Sequence, residues 1–184
     1  MRTAVEIGMP KISRSAFVDR SAAVIGDVTI GDDVYIAPNA SIRADEPGSK
    51  MIIGEECNVQ DNAVLHAVSG SELRVGKGST LAHGCIVHGP CTVGEGRSIG
   101  FGSVVFQSAL MDGCVVMHRA FVHGATVPAE RLIAGGAIID GHLGHSDHFE
   151  VPEDIARFVG SVRYANVELG LRYRQGERRG PRDG

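Results

Sequence analysis

At 184 residues with a net charge of −4, the chain is long enough for one domain with a sizeable core and carries no basic field suited to nucleic acid. Its 25 glycines, few aromatics and absent tryptophan suit many short strands and turns rather than an ordinary α/β domain. No apolar run reaches the roughly 18 residues of a membrane span, and the N-terminal MRTAVEIGMPKISRSAF lacks the apolar centre of a signal peptide, so a soluble cytoplasmic protein is expected.

From residue 18 onward the chain repeats. Val18, Val24, Ile30, Ile36 and Ile42 fall at strict intervals of six, and two residues before each stands a small or aliphatic residue: Ala16, Ala22, Val28, Val34 and Ala40. After an excursion at Ala44–Lys50 the register resumes at Ile53, Val59 and Leu65; after a second, Ala67–Leu73, it resumes at Val75, Leu81, Val87, Val93, Ile99 and Val105. One five-residue step leads to Leu110, Val116 and Val122. Neither a helical period nor simple alternation produces this spacing. Short strands turning at Gly, Asp or Asn, each with an aliphatic side chain inward, predict a mainly β solenoid with three faces per coil. Neighbouring coils would lie about 4.8 Å apart. Cys57, Cys85, Cys91 and Cys114 all fall at the second inward position, which reads as reduced core thiols rather than a disulfide framework or metal site.

The repeat is expected to fade after Thr126 into a Gly- and His-rich connector, Gly135–His148. Beyond Val151-Pro152-Glu153-Asp154, Ile155, Phe158, Val159 and Val162 recur at helical spacing behind acidic residues suited to a helix N-terminus. Residues 1–150 are therefore read as β-helix with connector, 151–175 as a helix packing on it, and 176–184 as a disordered tail.

The frame assigns positions to the histidines. His66 follows Leu65 and His88 follows Val87, three repeats later, so they share one outward position on adjacent coils. Two imidazoles so placed can share one metal ion. His83, two residues after Leu81, belongs to the preceding face. One chain thus supplies a two-ligand half-site and a one-ligand half-site, which threefold association would join. Arg43 should stack one coil below His66, and Gln60 should share a face with His83. His118 and His123 read as single surface histidines, and His142, His145 and His148 as a flexible link or adventitious cluster.

The segments SIRADE (41–46), NVQDNAVLHA (58–67), LAHGCIVHGP (81–90) and IGFGSVVF (99–106) resemble the γ-class carbonic anhydrases, including the related N-terminal domain of a carboxysome scaffold protein. The resemblance covers roughly residues 10 to 175. It implies a left-handed parallel β-helix with a C-terminal α-helix, and a homotrimer with metal at each subunit interface. By the same resemblance, His66 and His88 from one subunit and His83 from the next are the ligands. Arg43, Asp45 and Asp61 match salt-bridging residues, partly between subunits. Gln60 matches a residue holding the metal-bound solvent, and Glu46 an acidic residue used in proton transfer or bicarbonate handling. Asn166 matches an asparagine near the substrate, with Tyr164 beside it.

Three neutral imidazoles and an open position make a catalytic rather than a closed structural site. The implied reaction is addition of hydroxide to CO2, with Zn2+ the default ion and Fe2+ or Co2+ compatible with the same ligands. The prototype enzymes carry a longer acidic loop after the first histidine. Here that loop is AVSGSELRVG, and Glu72 is a poor positional match, which predicts slow or buffer-dependent proton transfer. Three alternatives remain open: a hexapeptide-repeat acyltransferase using one histidine as base, a catalytically weak bicarbonate-binding or scaffold protein, and metal-dependent hydration or hydrolysis of another small substrate.

Overall fold

A computed structural model describes residues 8–143 and 148–176. The described chain winds through three sheets in turn, seven-, eight- and seven-stranded, so that sequence neighbours lie on different faces and every third strand pairs. The first face runs from Lys11–Ile12 to Thr126–Val127, and the second from Phe17–Val18 to Arg131–Ile133. The third comprises Ala23–Gly26, Ser41–Ala44, Val64–His66, Ile86–His88, Val104–Phe106, Phe121–His123 and Ile138–Asp140. Pairing is parallel except where Phe149–Glu150 closes the second face antiparallel to Arg131–Ile133. This is the expected parallel β-helix.

The inward aliphatics form the core. Ile36, Val59, Leu81 and Ile99, stacked on the second face, are all completely buried. Burying one such side chain contributes roughly 1.5–3 kcal/mol. The four cysteines lie in the same interior, none in a disulfide. Corners need left-handed backbone: between the second and third faces it is adopted by Asn62 (φ 59°) and Gly84 (φ 66°), residue types that tolerate it.

The repeat does not fade after Thr126. Val127, Ile133 and Ile139 keep the six-residue step and are buried, so Thr126–Val127, Arg131–Ile133 and Ile138–Asp140 add another coil. Part of the expected connector is therefore solenoid. Pro128 and the glycines obscured a register whose inward aliphatics were intact.

The helix spans Glu153–Arg174, with Glu153 and Asp154 in its first turn and Arg172 and Arg174 in its last, both favourable to the helix dipole. It packs along the second face. Gly170 allows that approach, since a Cβ there would stand 3.1 Å from Tyr35 Cβ. Tyr173, Phe17 and Tyr35 form an aromatic cluster at the far end, with ring separations of 5.3 to 6.1 Å. Among the described residues, no helix is long and apolar enough to cross a membrane. The expected tail, apart from Gly176, lies outside the described residues.

Candidate metal centre and adjoining cleft

Two columns of side chains cross the coils on neighbouring parts of the surface. On the third face the register stacks Arg43, His66, His88, Phe106, His123 and Asp140. At the corner before it, Asp61, His83, Phe101 and His118 follow one another.

His66 and His88 face each other on adjacent coils, with His66 Nδ1 3.2 Å from His88 Nε2. Two nitrogens bound to one tetrahedral ion at about 2.0–2.1 Å lie roughly 3.3 Å apart, so this spacing fits a shared cation. The opposite nitrogen, His66 Nε2, faces Glu46 Oε1 at 3.3 Å and Asp45 Oδ1 at 3.9 Å. Carboxylates behind a ligating imidazole orient it and raise its basicity. Asp45 Oδ1 and His88 Nδ1 are buried and make no hydrogen bond, further polar capacity not used within one chain.

Both carboxylates are held in place. Arg43 donates to Asp45 Oδ2 through Nε at 3.1 Å and Nη2 at 2.9 Å. Burial pushes the Asp45 carboxyl up, but hydrogen bonds from Arg43 and the backbone, with the Arg43 charge, outweigh it and leave it below its ordinary range. Ser69, on the second excursion, donates its backbone N–H and its hydroxyl to Glu46 Oε2, each at 2.8 Å. Those two hydrogen bonds hold the Glu46 carboxyl below its usual value. The loop lacking the expected acid therefore anchors the acid on its neighbour. Glu72 points elsewhere, paired with Arg74 on the first face.

His83 stands apart from this pair. Its Nδ1 lies 3.0 Å from Asp61 Oδ2, and its side chain is 54% exposed. Among the described residues no three His, Cys, Asp or Glu side chains converge as a ligand set.

Between the corner and the helix lies a cleft of about 230 Å³ that contains His83, Gln60 and Asn166. Gln60 is buried; its Nε2 donates to Asn58 Oδ1 at 3.2 Å, and Asn58 in turn donates to Thr80 Oγ1 at 2.8 Å. Gln60 Oε1 is left as a buried acceptor with no partner. Asn166 uses its Nδ2 on the Val162 carbonyl, 2.8 Å away. Tyr164 is 69% exposed and does not line the cleft.

The cleft also holds Phe101 and His118, the latter expected only as a single surface histidine. Phe101 stacks on His118 at 4.3 Å, and the Phe101 amide donates to His118 Nδ1 at 3.0 Å, which fixes the orientation of the ring. His123 likewise stacks on Phe106, at 5.0 Å and 8°. The signal for both was available: His118 stands two residues after Val116 as His83 does after Leu81, and His123 follows Val122 as His88 follows Val87.

No family model matches the chain. It is 36% identical over 191 residues to the carbonic anhydrase of Methanosarcina thermophila, an alignment covering 92% of this chain and 77% of that protein. It is 42% identical over 139 residues to the carboxysome assembly protein CcmM of Nostoc sp., which covers 70% of this chain but only 25% of CcmM. Among solved structures it is similar to a hexapeptide transferase family protein from Anaplasma phagocytophilum, with a TM-score of 0.76 and 26% identity over 89% of this chain and 92% of that one. The chain belongs to the γ-class carbonic anhydrase family.

Proposed function

We propose that this protein interconverts CO2 and bicarbonate at a divalent metal site shared between subunits of a homotrimer, with His66 and His88 from one subunit and His83 from the next. The observation that carries this reading is the 3.2 Å approach of His66 Nδ1 to His88 Nε2, two ligand atoms at the spacing of a tetrahedral ion with carboxylates behind one ring. The similarity to the Methanosarcina carbonic anhydrase supports CO2 as the substrate.

An ion there, Zn2+ by default and Fe2+ or Co2+ with the same donors, would supply hydroxide at neutral pH. The chain's own groups do the rest. Gln60, tethered through Nε2, presents Oε1 as a fixed acceptor that orients solvent without changing charge. Glu46, ionised and held by Ser69, takes the proton that must leave after each turnover. Asn166 lines the cleft beside the substrate. Arg43, Asp45 and Asp61 hold the carboxylates and imidazoles in position, within and between subunits.

A second copy is favoured as partner by the third face. Parallel sheets are ordinarily covered on both sides. Here Ile86, Phe121 and Ile138, in one outward row, are 38%, 37% and 61% exposed. The four unpaired buried thiols suit a reducing compartment such as the cytoplasm.

One observation favours a different chemistry. His83, which lines the cleft, pairs through Nδ1 with Asp61 outside it, the arrangement of a general base, on a frame also found in a hexapeptide transferase family protein. Stopped-flow CO2 hydration on metal-quantified protein purified without air, in several buffers, separates the readings. The account predicts a rate proportional to bound metal and abolished by His66→Ala. Full metal with no rate would move the assignment to a bicarbonate-binding or scaffold protein, or to another small substrate. Chelator-insensitive acetyl transfer would establish the acyltransferase.

A further inference from the structure

We propose, on the reading that joins His83 of one subunit to His66 and His88 of the next, that the solenoids of the trimer stand side by side along its threefold axis and that two aromatic columns meet between them. Phe101 of one subunit then packs against Phe106 of the next, and His118 against His123, directly above the shared metal site.

The two columns are built alike. At the corner His83, Phe101 and His118 follow one another with ring centroids 5.4 and 4.3 Å apart. On the third face His88, Phe106 and His123 follow at 5.3 and 5.0 Å. Each ring advances one coil. The strand register pairs His88 with Phe106 and Phe106 with His123. At the corner the Gly102 amide donates to the His83 carbonyl, and the Arg119 amide to the Phe101 carbonyl. One column begins on the single ligand and the other on a ligand of the pair, and both continue with Phe and then His.

A cyclic trimer holds equivalent atoms of its copies at one height along the axis. Contact between His83 and His88 at one coil therefore fixes the contacts above it: Phe101 with Phe106 about 4.8 Å higher, and His118 with His123 one coil beyond. The surface suits such a partner. Phe101 is 49% exposed, a large apolar ring that a second aromatic ring would cover edge-on or offset. Gly100 leaves room for the His118 ring, since a Cβ there would stand 2.8 Å from Nδ1, and the Phe101 amide holds that nitrogen at 3.0 Å. His123 Nδ1 lies 3.5 Å from Asp140 Oδ2, and the His142 ring centroid is 4.9 Å from that of His123; His145 lies outside the described residues. Each of the two histidines thus has Nε2 left for the other. The phenylalanine rung would keep His83 level with His66 and His88 and shield the ion from solvent on that side.

The test is cross-linking by a short bismaleimide of His118→Cys and His123→Cys variants co-expressed so that they form mixed trimers, with assembly size and metal content measured on the same sample. The native cysteines are buried, and each variant expressed alone controls for them. The expected product is a covalent dimer from the mixture, with only single chains from either variant alone. Phe101→Ser should weaken the trimer and speed loss of metal to a chelator, each about tenfold, and Phe106→Ser should match it. A metal-loaded mixed trimer that yields no covalent dimer would overturn the proposal and leave the shared site standing; so would phenylalanine variants with wild-type assembly and metal release. A monomeric protein, or a trimer whose His83→Ala variant keeps its metal, would instead sink the shared site and the proposal with it.

Discussion

His66 Nδ1 and His88 Nε2 meet at 3.2 Å across two coils, whereas His83 stands at the preceding corner, 3.0 Å from Asp61. One subunit therefore offers two donors on one face and a third, differently directed, around the corner. A three-imidazole centre requires the corner of one copy to meet the third face of another, and the exposed row Ile86, Phe121 and Ile138 beside His88 is suited to that contact.

Burying a charge in that row should undo the assembly. Phe121→Asp is expected to weaken association by about 3 kcal/mol or more, over 100-fold, because an unpaired carboxylate would enter an apolar contact. Light scattering after size exclusion should show a monomer with unchanged circular dichroism and less bound metal. A stable trimer with full metal would place the interface elsewhere.

Proton release should run through Glu46. Its Oε2 is fixed by Ser69, and its Oε1 faces His66 at 3.3 Å. Glu46→Gln is expected to lower kcat for CO2 hydration about 100-fold in weak buffer while kcat/KM changes little. Added imidazole should restore kcat. Equal losses of kcat and kcat/KM at every buffer concentration would assign Glu46 to another step.

Gln60 offers a test of solvent orientation. Its free Oε1 is buried and unpartnered, so Gln60→Leu removes an acceptor without removing a metal ligand. Metal content should be retained while kcat/KM falls about tenfold or more, the equivalent of one hydrogen bond worth about 1.5 kcal/mol. An unchanged rate would show that the acceptor takes no part.

The core thiols predict how stability depends on pH. Burial pushes Cys57 and Cys85 from an ordinary 9.0 to about 12. In the unfolded chain both ionise near 9, so between pH 9 and 12 the unfolded state binds fewer protons and stability falls as pH rises. Each thiol contributes up to about 1.4 kcal/mol per pH unit in that window. Urea melts at pH 8 and pH 10 measure it directly, and native protein at pH 8 should resist thiol reagents until unfolded. A Cys57→Ser, Cys85→Ser double variant that keeps the full slope would locate it in other groups.

Much of this arrangement is legible before any coordinates, because a solenoid converts sequence separation into position. Counting repeats places Arg43 under His66 and His66 under His88, as the register has them. The same count places His118 above His83 and His123 above His88, so those columns were legible too, although both histidines read as isolated surface residues because no motif marked them. Other relationships do not follow a period. Ser69 reaches Glu46 from one irregular excursion to another, and loop conformation depends on local turns rather than on repeat phase. The cleft containing Gln60 and Asn166 depends on where the helix crosses the second face. Gly170 against Tyr35 determines that crossing, and helical periodicity shows only which side of the helix is apolar.

The shared site is tested most directly by mixing two inactive variants, His83→Ala and His88→Ala, unfolding and refolding them together in equal amounts. In a cyclic trimer, roughly three-quarters of the assemblies would be mixed, each with one intact site of three. The account predicts recovery of about a quarter of wild-type metal binding and CO2 hydration, from parents that have neither. No recovery from well-folded mixed trimers would contradict a centre built from His66 and His88 of one subunit and His83 of the next.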